Sequence, residues 1–201
     1  MRRMAFWSAR VGLLLAAGVY LGSVSTASAA VIYDESGDGD ASNSAAAPTL
    51  IALALGDNEI IGTTGSGDRD HFTFTIGASE AVTSFIITEF NGPEGGGGHF
   101  FGFANGSTVP SAGSSFLISD LIANAEAPFN VLGASGGAFG GTGVPTELGP
   151  GDYSVLFNET AGGSVSYRAS ITVSAIPEPS SGFAALFVSA AWMVRRRRKT
   201  S

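Results

Sequence analysis

The chain has 201 residues, of which 29 are glycine and none is cysteine, so disulfide cross-links and cysteine nucleophiles are excluded. Lys and Arg together number 10 and Asp and Glu 17, but most of the basic residues lie in the two terminal segments. Residues 30–176 hold two basic and sixteen acidic side chains, a net charge of about −14 that repels phosphate backbones and excludes a nucleic-acid partner.

The first 29 residues have the three parts of a signal peptide. Arg2 and Arg3 form a positive end, residues 11–21 are largely apolar, and Ala27-Ser28-Ala29 has the small-x-small pattern that signal peptidase cleaves. We therefore predict that signal peptidase cuts after Ala29 and that the remaining chain is exported. The alternative, an uncleaved N-terminal anchor, is disfavoured because the apolar run is short and the small residues follow it closely.

Residues 30–175 are predicted to form one all-β domain. The segment is long enough to bury roughly two thirds of the surface of its unfolded chain. Short apolar runs alternate with period two and are separated by glycine-rich turns, which favours a single antiparallel β-sandwich or jelly roll. The predicted strands cover residues 50–55, 59–63, 70–76, 82–90, 99–103, 153–157 and 165–173.

Two further segments bear on the strand order. The glycine turn at residues 161–163 lies between the last two predicted strands, which predicts that they form a β-hairpin. Residues 114–122 fit either a strand or a helical turn, and both alternatives stay open.

Three stretches of the domain share a pattern: Gly67-Asp68-Arg69-Asp70-His71-Phe72-Thr73-Phe74, Leu148-Gly149-Pro150-Gly151-Asp152-Tyr153 and Ser166-Tyr167-Arg168-Ala169-Ser170-Ile171-Thr172-Val173. Together they resemble the bacterial pre-peptidase C-terminal domain. This resemblance implies a small β-sandwich of a kind often appended to secreted proteases. Several members of that family bind calcium or polymeric substrates.

An acidic, glycine-containing segment at residues 34–43 is the best candidate for a metal site. Calcium takes six to eight oxygen ligands from carboxylates, amides and backbone carbonyls, and this segment offers five such side chains, although not with EF-hand spacing. The family resemblance implies that two aspartates at the start of the strand 70–76 join them. The alternative is a solvated acidic loop in which those two aspartates only cap a turn. The candidate calcium ligands are Asp34, Glu35, Asp38, Asp40, Asn43, Asp68 and Asp70.

No catalytic set is predicted. Gly133-Ala134-Ser135-Gly136-Gly137 satisfies the G-x-S-x-G pattern, but a nucleophile elbow needs a strand before the serine and a helix after it, and here a glycine-rich loop continues. His71 and His99 are isolated in the sequence and make a poor zinc set without further ligands. A hydrolase using Ser135 is therefore the third-ranked function, behind two non-enzymatic ones.

The C-terminal residues 176–201 combine a proline-containing turn, an apolar segment at about residues 180–194 and a basic end. As a helix, residues 183–194 span roughly 18 Å, less than the hydrocarbon core of about 30 Å. A basic cluster stays on the cytoplasmic side of a membrane, so the upstream chain is expected to face outward. An ordinary tail anchor or a closing amphipathic helix is the alternative. The basic cluster consists of Arg195, Arg196, Arg197, Arg198 and Lys199.

The order of these parts, beginning with Pro177, Glu178 and Pro179, resembles the PEP-CTERM sorting signal of Gram-negative bacteria. The resemblance implies that an integral-membrane exosortase recognises the Pro-Glu-Pro element and processes the tail, usually in species that export polysaccharide. The expected route is export, an intermediate anchored in the inner membrane by the short helix, and then the envelope surface or the extracellular matrix.

Two functions follow from these observations. The first is a non-enzymatic cell-surface or matrix protein that an exosortase sorts through its tail. The second is a calcium-dependent carbohydrate-binding module for exopolysaccharide, in which exposed Phe or Tyr rings stack on sugars. Trp7 and Trp192 both lie in the terminal segments, so the domain has no tryptophan for such a platform.

Overall fold

The computed structural model describes residues 28–94, 98–111, 113–160 and 162–177. They form two five-stranded sheets packed face to face, which confirms the predicted all-β sandwich. One single-turn helix, α1 (Glu35–Asp38), and two 3₁₀ turns, Gly113–Ser115 and Asn124–Glu126, lie between strands of the described ranges. The strands are β1 (Ala30–Asp34), β2 (Thr49–Leu50), β3 (Gly56–Gly65), β4 (Arg69–Ile76), β5 (Glu80–Asn91), β6 (His99–Asn105), β7 (Ile118–Ile122), β8 (Phe129–Asn130), β9 (Gly151–Asn158) and β10 (Ser164–Ala175).

The first sheet has the strand order β1-β3-β10-β5-β8 and the second has the order β2-β4-β9-β6-β7. Neighbouring strands are antiparallel except at one edge of each sheet, where β1 runs parallel to β3 and β2 runs parallel to β4. The expectation of a wholly antiparallel sandwich therefore needs this correction. From β1 to β4 the chain passes from one sheet to the other at each step. Two successive strands of the same sheet are then joined by a crossover and run parallel, whereas a hairpin would make them antiparallel.

A phenylalanine-rich core fills the space between the sheets. Side chains alternate inward and outward along each strand, and the inward-facing set packs in edge-to-face and stacked pairs. Full burial of such a side chain stabilises the fold by about 1.5–3 kcal/mol. The core residues of the described ranges lie between residues 33 and 173, so a fragment of residues 30–177 contains all of them. The largest fully buried aromatic side chains are Phe72, Phe74, Phe85, Phe101, Phe103, Phe157 and Tyr167.

The predicted hairpin between the last two strands is wrong. β9 pairs with β4 and β6 in the second sheet, whereas β10 pairs with β3 and β5 in the first. The chain after Asn158 therefore crosses between the sheets, and the Phe157 ring stacks on the Tyr167 ring across the core with centroids 4.1 Å apart. Period-two alternation could not reveal this, because each strand buries one face in a hairpin and in a crossover alike.

The predicted strand at residues 50–55 is also largely wrong, since β2 ends at Leu50 and β3 begins at Gly56. Asn58 explains the difference. Its side chain accepts a hydrogen bond from the Ala54 backbone N–H at 2.8 Å and donates to the Ala54 and Ile171 carbonyls at 2.8 and 3.1 Å. The turn signal at this point therefore marks the start of a strand. Residues 114–122 contain both open alternatives, a 3₁₀ turn followed by β7.

Candidate functional site

Three carboxylates converge at one end of the sandwich, and we call them the acidic cluster: Glu35, Asp40 and Asp70. One oxygen of each lies within 4.8 Å of the others. Glu35 opens α1, Asp40 follows that helix, and Asp70 is the second residue of β4. Residues from the beginning of the domain and from the second sheet are thus brought to one place.

Local hydrogen bonds fold the chain back between β1 and Asp40. The Asp34 carboxylate caps α1 by accepting from the Ser36 backbone N–H at 2.9 Å and from its hydroxyl at 2.7 Å, and these bonds lower the pKa of Asp34. Asp38 accepts from the Asp34 backbone N–H at 2.8 Å. Gly39 then leaves the helix with φ 90°, a left-handed conformation that favours glycine. The turn places Asp40 beside the strands.

Glu35 is held in a fixed orientation by the first sheet. Its Oε2 accepts hydrogen bonds from the Thr63 backbone N–H at 2.6 Å and from the Thr63 hydroxyl at 2.9 Å. Its other oxygen, Oε1, is buried and has no hydrogen-bond partner in the described part of the chain. One carboxylate oxygen therefore anchors the side chain and the other remains available to a ligand.

Asp70 is the most unusual member of the acidic cluster. It shares the inward face of β4 with Phe72 and Phe74, it is 0% exposed, and neither carboxylate oxygen has a hydrogen bond of ordinary geometry within the described ranges. Burial, followed by the charge of Glu35, raises the pKa of Asp70 to about 8, and the nearby Tyr167 hydroxyl acts in the opposite direction. A buried carboxylate in this state is costly unless a proton or a cation compensates it.

Two tyrosines enclose the acidic cluster on the core side. Burial raises the pKa of Tyr33 to about 12, and burial together with the Asp70 charge raises that of Tyr167 further. The Tyr33 hydroxyl donates to the Gly39 carbonyl at 2.6 Å. Tyr167 lies directly against Gly62 of β3, where a Cβ atom would stand 2.2 Å from the Tyr167 hydroxyl oxygen. The two rings exclude water from one side of the cluster.

The acidic cluster fits a hard divalent cation. All its donors are oxygen, which suits calcium and does not suit zinc or copper. Two ligands on opposite sides of a calcium ion stand about 5 Å apart at most, and the observed separations fall inside that limit. No salt bridge in the described ranges reaches the cluster, since Arg168 pairs with Glu59 at 2.8 Å and approaches Glu89 at 3.9 Å. The buried Asp70 oxygens are the atoms whose burial a bound cation would compensate most.

The other four candidate calcium ligands serve the surrounding turns. Asp34 and Asp38 make the helix contacts described above. Asn43 accepts from the Arg69 backbone N–H at 2.6 Å and donates to the Asp68 carboxylate at 3.2 Å, which ties the segment after Asp40 to the start of β4. The structure therefore brings three of the seven predicted ligands together in the acidic cluster. The other four form hydrogen bonds in the turns on either side of it. Of the two aspartates at the start of β4, Asp68 accepts from the Asn43 amide, whereas Asp70 makes no turn-capping hydrogen bond within the described ranges.

Tyr167 and Gly62 were not found as parts of the site from the sequence. Tyr167 lies nearly a hundred residues after Asp70, and only its inward position in a long alternating strand hints at its burial. Nothing in the local pattern links it to the acidic segment.

The two histidines have structural contacts. His99 and Glu159 are both buried, with His99 Nδ1 3.0 Å from the Glu159 carboxylate. The Asn124 side-chain amide donates to the Gly92 carbonyl at 2.9 Å, and its oxygen lies 2.8 Å from His99 Nε2. The folded chain thus gives His99, which is isolated in the sequence, two polar side-chain neighbours. His71 Nδ1 donates to the Ser42 carbonyl at 3.0 Å.

Ser135 lies in an irregular loop and is exposed. β8 ends at Asn130, and no helix follows the serine within the described residues up to β9. The strand-turn-helix geometry of a nucleophile elbow is absent from this loop.

The predicted terminal signals fall mostly outside the described ranges. Ala29 and Pro177 are described, whereas Ala27, Glu178, Pro179 and the basic cluster at residues 195–199 are not. Signal cleavage and sorting stay predictions. Among the described residues no helix has both the length and the apolar character needed to span a membrane, and the predicted segment at 180–194 lies outside them.

Neither a protein-family model nor a curated protein matches this sequence significantly. Solved structures with a related arrangement include PliG, a periplasmic inhibitor of g-type lysozyme, from Aeromonas hydrophila (14% identity, TM-score 0.34) and from Salmonella Typhimurium (12%, 0.34). Another is the pre-peptidase C-terminal domain of a Bacillus anthracis collagenase (16%, 0.33). Each match covers 63% of this chain. It covers 96% of the Aeromonas inhibitor, 98% of the Salmonella inhibitor and 97% of the collagenase domain.

Proposed function

We propose that this chain is an exported, non-enzymatic β-sandwich protein of the cell surface or extracellular matrix, and that its domain holds a calcium ion between Glu35, Asp40 and Asp70. The observation that carries the calcium site is the fully buried Asp70 carboxylate, which has no hydrogen bond of ordinary geometry and stands within 4.8 Å of two other carboxylates. Because Thr63 engages Oε2 of Glu35, these three side chains offer up to five oxygens, and water or backbone carbonyls would complete the shell.

The ion would act as a cross-link. Glu35 belongs to the segment that follows β1 and is hydrogen-bonded to β3 in the first sheet, whereas Asp70 belongs to β4 in the second. A cation between them ties the two sheets and the beginning of the domain together at one end of the sandwich. The chain has no cysteine and so forms no disulfide, and the bound ion would supply the cross-link instead.

The sorting part of the proposal rests on the terminal sequences. A leader with a signal-peptidase site precedes the domain, and a Pro-Glu-Pro element, a short apolar segment and a basic cluster follow it in that order. Signal peptidase and an exosortase-type membrane enzyme are the processing partners. The short helix would hold the intermediate in the inner membrane before release to the envelope surface or matrix.

A second candidate function, calcium-dependent binding of exopolysaccharide, is favoured by one observation. Phe139 is 52% exposed and lines a cavity on the outer face of the second sheet.

Thermal unfolding of residues 30–177 in chelator and in millimolar calcium tests the site. A ligand that binds only the folded state at a hundred times its Kd stabilises it by about 2.7 kcal/mol, so the midpoint should rise by several degrees. Asp70→Asn and Glu35→Gln should abolish the rise. Glu147→Gln, which removes an exposed carboxylate elsewhere, is the matched control. An unchanged wild-type midpoint, or a full rise in Asp70→Asn, contradicts the calcium site.

A further inference from the structure

A cavity of about 530 Å³ opens on the outer face of the second sheet, and we call it the outer-face cavity. Its floor is a row of side chains across three neighbouring strands. Arg69 of β4 pairs in register with Asn158 of β9, which pairs with Phe100 of β6. Strands stand about 4.8 Å apart, so the polar and aromatic ends of this row are separated by about 10 Å, and a ligand ring can lie between them.

One wall of the outer-face cavity is aromatic. Phe100 lies 5.8 Å from Phe139 and 6.5 Å from Phe116, measured between ring centroids. The Phe139 backbone N–H donates to the Ser119 carbonyl at 3.0 Å, which holds the backbone of this exposed residue against β7. Gly102 leaves the room that Phe116 occupies, since a Cβ there would stand 2.6 Å from that ring. The wall is therefore built by backbone contacts and close packing.

The opposite wall is polar and carries a positive charge. The guanidinium of Arg69 is exposed and forms no hydrogen bond or ion pair with any residue in the described ranges, whereas Arg168, the other basic residue of the domain, pairs with Glu59. His71 stands beside it, oriented by its hydrogen bond to the Ser42 carbonyl. An unpaired arginine is unexpected in a domain with sixteen acidic side chains. Its planar guanidinium can donate two parallel hydrogen bonds to a carboxylate.

Ser119 adds an unused polar group to the same cavity. It is 0% exposed, it lines the cavity, and its hydroxyl has no hydrogen-bond partner in the described part of the chain. Buried hydroxyls are normally paired. Because the hydroxyl oxygen is inaccessible to solvent, a ligand hydroxyl could pair with it only after the cavity lining rearranges.

We propose that the outer-face cavity binds a sugar ring bearing one carboxylate, a uronic acid unit, with the ring face against Phe100 and Phe139 and the carboxylate on Arg69. This deepens the second function proposed above, since it names the site and the ligand class. Mixed apolar and polar lining with few convergent donors is typical of small-ligand sites. The positive charge of Arg69 selects the acid over a neutral sugar.

The domain charge restricts the polymer that can present such a unit. A net charge of about −14 repels a densely charged polyanion. At physiological ionic strength charges farther apart than about 8 Å are largely screened, so a single acid at a chain end or between neutral sugars can still reach Arg69. The ligand is therefore a sparsely acidic polysaccharide.

Nuclear magnetic resonance titration of residues 30–177 with methyl glucuronide and with methyl glucoside tests this assignment, because the two probes differ only in the acid. The glucuronide should bind at least about tenfold more tightly, with shifts in residues of the cavity. Arg69→Gln should erase that preference, and Phe139→Ala should weaken both ligands several-fold. Arg168→Gln, which removes the other positive charge, is the matched control and should bind like the wild type.

Three results would overturn the proposal: no binding of the glucuronide, equal binding of both sugars, or an Arg69→Gln variant that keeps the preference. Tighter binding of an acetylated dipeptide with a free C-terminal carboxylate would overturn it in favour of a peptide ligand. Arg69 and Phe139 are exposed, and an unchanged thermal midpoint confirms that each variant is folded. Glucuronide binding by a protein that shows no calcium response would refute only the calcium site.

Discussion

The backbone of Gly62 lies against the Tyr167 side chain so closely that a Cβ atom at residue 62 would stand 2.2 Å from the hydroxyl oxygen and 2.4 Å from the ring. β3 and β10 pair at this point, with Tyr167 in register with Gly62. Tyr167 also lies beside Asp70. A glycine in the first sheet therefore sets the position of a ring that encloses the acidic cluster.

Gly62→Ala should destabilise the domain because the added methyl group displaces Tyr167 from a packed core. Overpacking of this kind typically costs about 1–3 kcal/mol, measured as the free energy of unfolding in urea. Gly149→Ala is the matched control, since nothing lies within 4 Å of a Cβ at that position, and it should change stability by no more than about 0.5 kcal/mol. Equal stability of the two variants would show that Tyr167 can move freely.

The metal-free domain should lose stability as pH rises from about 4 to about 8. The pKa of Asp70 is raised from its ordinary 3.8 to about 8 in the folded state, so across that window the folded protein holds a proton that the unfolded chain has released. Stability then falls with increasing pH. Urea midpoints at pH 5 and pH 8 in chelator measure the effect.

Asp70→Asn supplies the control for that pH dependence. An amide does not titrate, so the variant should show a smaller fall between pH 5 and pH 8 and should exceed the wild type in stability at pH 8 in chelator. Glu147→Gln should keep the wild-type slope. A wild-type stability that rises over this interval would mean that Asp70 is ionised in the folded protein.

Calcium should strengthen binding in the outer-face cavity. The segment after Asp40 runs from the acidic cluster to the cavity: Ser42 orients His71, and Ala45 lines the cavity and accepts from the Val109 backbone N–H at 2.9 Å. An ion that fixes Asp40 would order this wall, a coupling that is typically worth a factor of about 5 to 150. Titration of methyl glucuronide should therefore give a lower Kd in calcium than in chelator. Equal Kd values in calcium and in chelator would show that the acidic cluster and the outer-face cavity are not coupled.

Removal of residues 177–201 should change where the protein resides. In an organism with an exosortase, the full chain should reach the cell surface or matrix with its tail processed, and the truncated chain should not follow this route. Glu178→Ala tests the Pro-Glu-Pro element with the apolar segment intact, and Glu147→Ala is its control. Unchanged location and processing of the truncated chain would refute exosortase sorting.

Much of the sandwich could be predicted from period-two alternation, which located β4, β5, β6, β9 and β10. The burial of Asp70 was not predicted, although its place two residues before Phe72 in the same alternation carries the signal. The assignment of strands to sheets was not, since β9 and β10 bury one face whether they form a hairpin or cross between sheets. The approach of Glu35 to Asp70 depends on the cap of α1 and on the hydrogen bonds to Thr63. Glu35 and Thr63 are far apart in the sequence, so no local pattern predicts this contact.

The most direct test of the account is the calcium stoichiometry of residues 30–177 by isothermal titration calorimetry, with the wild type compared to Asp70→Asn. The account predicts one calcium ion per wild-type chain, bound with proton release at neutral pH because the ion displaces the proton of Asp70, and none at this site in the variant. Absence of calcium binding by the wild type, or an equal stoichiometry in the variant, would contradict the assignment of Glu35, Asp40 and Asp70 as a calcium site.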